Sequence, residues 1–530
     1  MGGARHSDRD AGDLRRRAVD CGRHHRHGHD TPHRDAAEGG GRVFGVAAMT
    51  FDIGMPMIPE AALFGLMVLV LLIGLIQRPA SPALIGWLTF IGFAGTFGLT
   101  FFAREGATLF SGSFVNDSLA IFSKKLFVAS AALSVLGSLT LRQGSFQRRA
   151  AEYHFVLIAS VLGMLVLASA RELILLFVSF ELMSIPLYVL TGFVKRQDAA
   201  PEAALKFFLV GTASSAVIVY GISFIIGVTG STDLAAIPTA LVSNDPMMLL
   251  GMTLLLAGLG FKIAAFPFHM WAPDTYEAAS TPFVAWLAVA PKAAGFIAII
   301  RLYVEGVGAA TLVWMPVVAA VAGMTIITGN LMAIPQHNIK RLLAYSGIAH
   351  IGYMLVGLAA LSANGIAMVL FYLVAYLFGN MGAFFVVEAV ARSENSEEID
   401  AYKGLAQRSP LLALAMLVFL LSLGGIPFVA GFWAKLYVFL AAIDRGMYGL
   451  VFLGAVLTVV ALYYYLLVAR RMYIEAPVRT ERVQVPTLLG VVIFICILGV
   501  VGMGAWPRPW VDATQHAAAS VFAAPSASTK

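Results

Sequence analysis

Charge is what this sequence most lacks. Of its 530 residues only 12% are Asp, Glu, Lys or Arg, against 59% hydrophobic; soluble domains carry roughly 25% charged residues. That balance excludes an ordinary globular enzyme and describes a membrane protein. Cysteine is almost missing too. Cys21 and Cys496 stand far apart, with no CxxC, CxxCH or Cys/His cluster, so nothing supports an iron–sulfur, c-type haem or structural zinc site. No GxGxxG follows a strand, so no nicotinamide or flavin site is expected either. The formal charge of +6 is small for the length. No Lys/Arg stripe with interleaved aromatics accompanies it, which argues against nucleic acid as a partner. No cofactor and no metal is expected in this chain.

The first 48 residues differ from the rest. They hold nine arginines and six of the 11 histidines, with no apolar run. No hydrophobic region follows Arg15 to Arg17, so this is not a signal peptide. It reads as a disordered leader, or as upstream sequence before a start at Met49. HHRHGH is too weak a pattern, in such a segment, to carry a metal site.

What is present in quantity is apolar runs. A hydrocarbon core needs about 20 apolar residues per helix. From Met49 onward fourteen such runs occur, near 57–78, 82–102, 117–141, 152–170, 171–192, 201–229, 246–270, 280–304, 309–333, 339–361, 364–391, 410–441, 447–473 and 485–506. Alternating strand patterns are absent, which excludes a β-barrel. The fold class is all-α and polytopic. Counting Lys and Arg in the connections gives fifteen in the odd-numbered ones and four in the even-numbered ones, namely Arg104, Arg171, Arg301 and Arg445. The asymmetry places the odd connections in the cytoplasm and both termini outside.

Two spans share a pattern. Span seven ends LGFKIAAFPF, Leu259 to Phe268, and span twelve contains LGGIPFVAGF, Leu423 to Phe432. Five spans apart, they cross the bilayer in opposite directions, as inverted repeats with broken helices do. Pro267 is expected to free the carbonyl of Ile263, and Pro427, beside Gly424 and Gly425, that of Leu423. In lipid such oxygens are tolerated only beside protein or a wet cavity. For either proline alone a packing kink is the competing reading. The expected segments are a leader 1–48, a three-helix segment 49–150, repeats at 151–305 and 306–475, and a last helix with its tail at 476–530.

Ionisable residues sit inside the apolar runs: Glu181 in span five, Lys206 in span six, Lys262 in span seven, Lys292 in span eight, His350 in span ten and Lys435 in span twelve. A charge at the bilayer centre costs about 2.5–3.5 kcal/mol on insertion scales. Lys206 can snorkel to the interface, and Lys262 in part. For Glu181 and Lys292 a structural ion pair is the bland alternative, and for His350 a bond to a neighbouring carbonyl. Asp274 and Glu277 read as interfacial. A row of buried acids and bases suits proton conduction, which needs groups that hold and release a proton. An opposite charge about 4 Å away is worth roughly 4 kcal/mol at an effective dielectric near 20, so moving a Glu–Lys pair together or apart switches the lysine.

The stretches SFELMSIPLYVLTGF, EAALKFFLVGTASS, FPFHMWAPDTYEAASTPF, APKAAGF, NIKRLLAYSGIAHIGYML and GGIPFVAGFWAKLYVF resemble the antiporter-like membrane subunits of respiratory complex I, the N-type branch more than the L and M types. The resemblance runs from about Met49 to the last span. It implies fourteen helices, two inverted five-helix units and a proton path along a central polar axis. It assigns Glu181, Lys262, Lys292 and Lys435 to that path, with Lys206 and His350 beside it. It implies neighbouring membrane subunits of K and M type in a bacterial plasma membrane, and NADH, FMN, iron–sulfur clusters and quinone held by partner subunits. The chain itself then has no redox site. Two alternatives stay open: a subunit of a multisubunit cation/proton antiporter, and a structural membrane anchor.

Overall fold

The expected spans form as helices, and the way they end decides where polar groups survive in the interior. The computed structural model describes residues 56–77, 81–141, 144–194, 199–238, 245–306 and 311–522. The leader, Met49, the HHRHGH run and the connection residues Arg78, Arg142, Lys195 and Arg196 lie outside them. Helices α1 (Ile58–Ile76), α2 (Pro82–Leu99) and α3 (Ser118–Ser138) form spans one to three, with proline in the first turn of α1 and α2, where its missing N–H costs nothing. A short α4 (Gly144–Arg148) leads into α5 (Ala150–Ser169), α6 (Leu173–Thr191) and α7 (Ala199–Thr229), spans four to six. Span seven is α8 (Pro246–Ile263) followed, after a break, by α9 (Trp271–Ala278). Span eight is α10 (Thr281–Leu287) and α11 (Ala290–Ile300), closing in a π turn over Arg301–Glu305. Then come α12 (Thr311–Ala333), α13 (Ile339–Ala359) and α14 (Ala363–Glu394), spans nine to eleven. After α15 (Leu405–Arg408), span twelve is split into α16 (Pro410–Gly424) and α17 (Ala430–Ile443). Spans thirteen and fourteen are α18 (Tyr448–Tyr473) and α19 (Thr487–Ala505). Thirteen helices among the described residues are long and apolar enough to cross a membrane, and the split span twelve makes fourteen.

Connections pair up by parity. On one face a hairpin of β1 (Ala107–Leu109) and β2 (Phe114–Asn116) joins the connection after span four through Phe114 and Ala170, and that one meets the connection after span six through Glu172 and Asp233. On the other, Asn338 bridges to Glu398, and the Arg392 guanidinium donates to the Thr140 carbonyl. Even-numbered connections thus share one face and odd-numbered ones the other, as fourteen crossings require. Spans eight, ten and eleven are buried nearly throughout, whereas α1 and α2 present most of their surface outward. The central helices carry no lipid-facing stripe of their own.

Both expected breaks occur, but by a different device. Each half-helix ends in a paired cap: Ala264 N–H donates to Phe261 O and Ala265 N–H to Gly260 O, while Gly425 N–H donates to Ser422 O and Ile426 N–H to Leu421 O. Ala264 (φ 60°) and Gly425 (φ 81°) occupy the left-handed position that such caps need. The helices therefore stop before Pro267 and Pro427 reach them. Ile263 is the last residue of α8, so its carbonyl is not stripped by the Pro267 ring. A third interruption lies in span eight. The chain turns at Ala288 and Val289, and Pro291 stands in the first turn of α11, where the helix restarts and its missing N–H costs nothing.

A fifteen-residue helix past the last span, α20 (Arg508–Phe522), and the β1–β2 hairpin were not foreseen. Helix α20 lies on the even face, where Leu119 N–H donates to Ser520 Oγ at 3.3 Å. Its pattern was legible: Thr514, Ala517, Ala518 and Val521 recur at helical spacing and are the buried residues.

Arg301, grouped above with the even connections, is fully buried at 0% exposure. It grips Asp117, the N-cap of α3, with two bonds of 2.6 Å, pairs with Glu305, and donates to Ala168 O. Burial pushes the Asp117 carboxyl up, but the Arg301 charge and hydrogen bonds outweigh it and hold the group below the usual carboxylate range. A depressed carboxyl contributes stability above its unfolded value, near 4, and loses it as pH falls through the folded value. Asp117→Leu should lower stability by about 3–5 kcal/mol, because it leaves a buried charge under-compensated, and Asp117→Leu with Arg301→Met should recover much of that loss. Thermal unfolding of the detergent-solubilised protein at neutral and acid pH checks both. Equal stability of the single variant and the parent would refute the account.

Candidate functional site

The interrupted helices and the buried ionisable residues coincide. Lys262 is in the last turn of α8, before one break. Lys292 is in the first turn of α11, after another. Lys435 lies in the second turn of α17, after the third. All three are buried. An interruption supplies what a regular helix cannot, namely room and unpaired carbonyls beside a charged side chain.

The first group is Glu181 and Lys262. Each meets a serine: Ser215 Oγ donates to Glu181 Oε1 at 2.6 Å, and Lys262 Nζ donates to Ser184 Oγ at 2.8 Å. The two charges are not in direct contact, yet Glu181 is close enough to act on Lys262 electrostatically. The Lys262 ammonium also sits 5.4 Å from the ring centre of Phe180 and 5.9 Å from that of Tyr188, a cation–π arrangement that helps hold charge away from water. Helix α6 runs through this group with Pro186 inside it. Ser160 Oγ donates to the Met183 carbonyl at 2.8 Å, tying α5 to α6 in the turn before the proline.

Span eight then brings Lys292 alongside. Gly295, one turn on, packs against the Lys262 stem, and a Cβ there would lie 2.7 Å from Ile263 Cγ2 and 3.6 Å from Lys262 Cγ. The Lys292 ammonium is 5.3 Å from the Tyr276 ring centre and has no hydrogen-bonding partner among the described residues. Its other neighbour is span ten at Gly347. A Cβ there would stand 2.7 Å from Tyr376 Oη and 3.3 Å from Lys292 Nζ, so a side chain at this position would crowd both polar atoms.

His350 follows one turn along α13. Its Nδ1 is 2.7 Å from the Tyr372 hydroxyl and its Nε2 is 3.4 Å from that of Tyr465. Tyr465 in turn bonds the Ser346 hydroxyl. The His350 ring packs 5.2 Å from that of Tyr376, whose hydroxyl shares the Gly347 site with Lys292, and 6.1 Å from that of Tyr353, over which Lys435 sits, so the imidazole lies between the two lysines. The Lys435 ammonium donates to Leu423 O at 2.9 Å and to Gly424 O at 3.3 Å. The second break thus does give Leu423 O to a buried lysine, across the gap between half-helices. Tyr353 lies beneath the ammonium at 4.7 Å and accepts from Thr458 and Asn330.

Of the six expected residues, five fall into this row. Lys206 does not. It is 54% exposed and pairs with Glu202 at 2.8 Å and Asp274 at 3.5 Å. Asp274 and Glu277 both bind Arg341 at 2.8 Å at the odd face, the interfacial place expected for them. Sequence reasoning missed the hydroxyls that join the charges. Their signal was spacing: Tyr372, Tyr376 and Asn380 recur every fourth residue in span eleven, and Ser346 stands four residues before His350. The second ring of ionic contacts was missed as well. Lys124 pairs with Glu60 at 2.7 Å, both buried, and Arg301 is held as described above.

Residues 170–461 match the family described as NADH:quinone oxidoreductase/Mrp antiporter, TM. The chain is 40% identical over 459 residues to NADH-quinone oxidoreductase subunit N of Heliobacterium modesticaldum, covering 85% of this chain and 96% of the relative. It is 39% identical over 461 residues to the subunit of the same name in Moorella thermoacetica, covering 85% and 95%. Among solved structures it is similar to a chain of respiratory complex I from Thermus thermophilus with bound aureothin, with a TM-score of 0.74, 32% identity, and coverage of 86% and 99%. A chain of the Mrp complex from Dietzia sp. shares the fold, with a TM-score of 0.78 at 20% identity and coverage of 88% and 97%. Matched across its helices and at this identity over most of its length, the chain belongs to the NADH:quinone oxidoreductase/Mrp antiporter membrane family.

Proposed function

We propose that this chain is a proton-translocating membrane subunit of an NADH-quinone oxidoreductase, in which other subunits carry NADH, flavin, iron–sulfur clusters and quinone. The observation that carries the reading is the row of buried ionisable side chains from Glu181 through Lys262, Lys292 and His350 to Lys435, with hydroxyls beside its members. A bare lysine in the membrane centre is costly. Three at successive helix interruptions, with serine and tyrosine hydroxyls nearby and no carboxylate bonded to any of them, are arranged to exchange protons rather than to hold spans together. Tyrosine and serine hydroxyls donate and accept at once, so each can pass a proton between a donor on one side and an acceptor on the other.

Glu181 and Lys262 form the switch. With each charge on its own serine the pair is open. Moved into contact, the carboxylate holds the ammonium charged, and moved apart it lets the lysine release its proton toward Lys292. Lys292 is the central relay, His350 with its tyrosines the bridge, and Lys435 the second relay or outlet. The positions of the two capped breaks support an inverted pair of five-helix units, since spans seven and twelve are each fourth in a group running from four to eight and from nine to thirteen. The Lys/Arg excess in odd-numbered connections supports a cytoplasmic odd face, in a bacterial plasma membrane, with both termini on the opposite side. Neighbouring membrane subunits of K and M type complete the assembly. The redox step belongs to those other subunits, and this chain's part is translocation. The relatives near 40% identity carry the oxidoreductase name, whereas the Mrp likeness is one of fold, which favours this reading over a cation antiporter.

Two variants test it in inside-out membrane vesicles. Lys262→Ala should abolish NADH-driven proton uptake in a complex that still assembles; full pumping by that variant removes Lys262 from the path. Gly347→Ala puts a methyl group between Lys292 and Tyr376 without touching any charge. Pumping per NADH oxidised should drop severalfold, and Gly347→Ala pumping at the parental ratio would break the proposed link from Lys292 to His350.

A further inference from the structure

Two cavities open side by side at the odd face, away from the row of charges. One, of about 710 Å³, lies between the starts of α2 and α19 and the ends of α3 and α14, with Ser81, Gln147, Arg392, Gln484 and Thr487 as its polar walls. The other, of about 820 Å³, runs between α16 and α19 and is walled mainly by Leu411, Leu414, Val418, Ile493, Phe494 and Ile497. Arg482 and Ser409 stand at its odd-face end. Gln484 and Val485 line both cavities, so the two adjoin. Each has the size of a site that encloses a ligand, about 300–1,000 Å³.

The joined space is graded from charge to hydrocarbon. Two arginines line it and no carboxylate does. The nearby Arg408 and Arg479 are both taken by Glu394. Arg392 gives one nitrogen to the Thr140 carbonyl, and neither it nor Arg482 forms an ion pair with a carboxylate among the described residues. A guanidinium has five N–H donors, so both keep donors for an anion. Arg148 and Arg149, exposed beside Gln147, add positive charge to the rim. The apolar part is one leaflet deep. From Thr487 to Ile497 α19 descends about 15 Å, half of a hydrocarbon core about 30 Å thick. On α16 the lining ends at Val418, about 12 Å below Pro410. Leu411, Leu414 and Phe494 are each more than half exposed, so the slot opens sideways. A neighbouring transmembrane helix would continue past the midplane, and this slot does not. Free arginines above an apolar slot of leaflet depth fit a lipid, as basic pockets between membrane helices fit anionic headgroups.

We propose that the joined cavities bind one anionic phospholipid of the odd-face leaflet, its phosphate held by Arg392, Gln484 and Arg482 and an acyl chain lying in the slot between α16 and α19. Arginine suits the phosphate because its planar fork can give two parallel hydrogen bonds to it. The bound lipid joins the odd-face ends of α2, α3 and α19 to those of α14 and α16. The site is independent of the translocation reading, since none of its residues belongs to the row.

The test uses the assembled complex in nanodiscs of phosphatidylcholine containing phosphatidylglycerol with a photoactivatable diazirine in one acyl chain. After illumination, peptide mass spectrometry should find lipid attached to α16 within 411–418 and to α19 within 493–497. Unlabelled phosphatidylglycerol should compete this labelling away. Arg392→Gln with Arg482→Gln should cut it severalfold, with labelling elsewhere on the complex unchanged. Gly490→Leu fills the slot instead. A Cβ at Gly490 would meet only Val485 Cγ1, at 3.9 Å, so the helix accepts the side chain, and labelling should fall severalfold with both arginines in place. Parental labelling in both variants overturns the site. Equal labelling by a phosphatidylcholine probe overturns it too, because the arginines then select nothing, and displacement by inorganic phosphate would make it a free-anion site. Cross-links from α16 or α19 to another subunit, in place of lipid, would put a protein in the slot and overturn the proposal. Should the arginine variant fail to assemble, Gly490→Leu and the comparison of headgroups decide.

Discussion

The hydrocarbon interior offers no water, so every polar group placed there must find its partner within the protein. The rest of this structure follows from that constraint. An unbroken helix satisfies its own backbone and leaves nothing for a charged side chain to bond. A helix that stops and restarts leaves carbonyls, hydroxyls and space. Lys435 shows the consequence most directly: its ammonium spans the gap in its own helix and takes the two carbonyls at the end of the preceding half. The charge satisfies the broken backbone, and the broken backbone makes the charge tolerable. Spans eight, ten and eleven, shielded from lipid by the other helices, extend the principle, because a polar side chain there meets protein in every direction.

Small residues set the spacing of this interior. Gly295 lets span eight lie against the Lys262 stem, and Gly347 lets Lys292 and Tyr376 approach. Neither position needs glycine for its backbone angles. Each needs the absence of a methyl group, because the Ile263 Cγ2 methyl at Gly295 and the Tyr376 hydroxyl at Gly347 stand 2.7 Å from where a Cβ would lie. Gly425 is the contrasting case, where the left-handed cap conformation itself favours glycine. Ala264 adopts the same conformation in span seven at a steric cost of roughly 1–2 kcal/mol. The two breaks are therefore alike in geometry and unlike in composition.

That unlikeness explains what could be read from the chain and what could not. Length and hydropathy located all fourteen spans, because a 30 Å slab permits few alternatives. Central charges stood out for the same reason, and five of the six chosen residues meet in one row. Lys206 shows the limit, since depth along a helix does not reveal which way a side chain faces, and this one turns to Glu202 and Asp274. Aligning the repeats on Leu259 and Leu423 sets Pro267 on Gly431 and leaves the prolines four positions apart, and it missed the shared element, a capped helix end at Ala264 and Gly425, which depends on backbone angles that an alanine does not announce. The hydroxyls of Tyr353, Tyr372, Tyr376 and Tyr465 were hard to single out for another reason, even with Tyr372 and Tyr376 four residues apart. In an apolar helix tyrosine is ordinary, and only the fold shows that four of them surround or adjoin one imidazole.

The serines at the first group bear on how such a row can move a proton at all. A directly bonded Glu181–Lys262 pair would be a stable resting point, and opening it in a medium of low dielectric would cost several kcal/mol. Ser215 and Ser184 instead give each charge a neutral partner when the pair is apart. Hydrogen bonds to an ionised group are worth about 1.5–3 kcal/mol each, so the open arrangement recovers much of what separation costs. Two arrangements of comparable free energy can then be exchanged by a modest push from elsewhere in the assembly, which is what population shift demands of a switch. In the proposed switch the serines are what keep the pair from locking, because they give both charges a partner in the open arrangement.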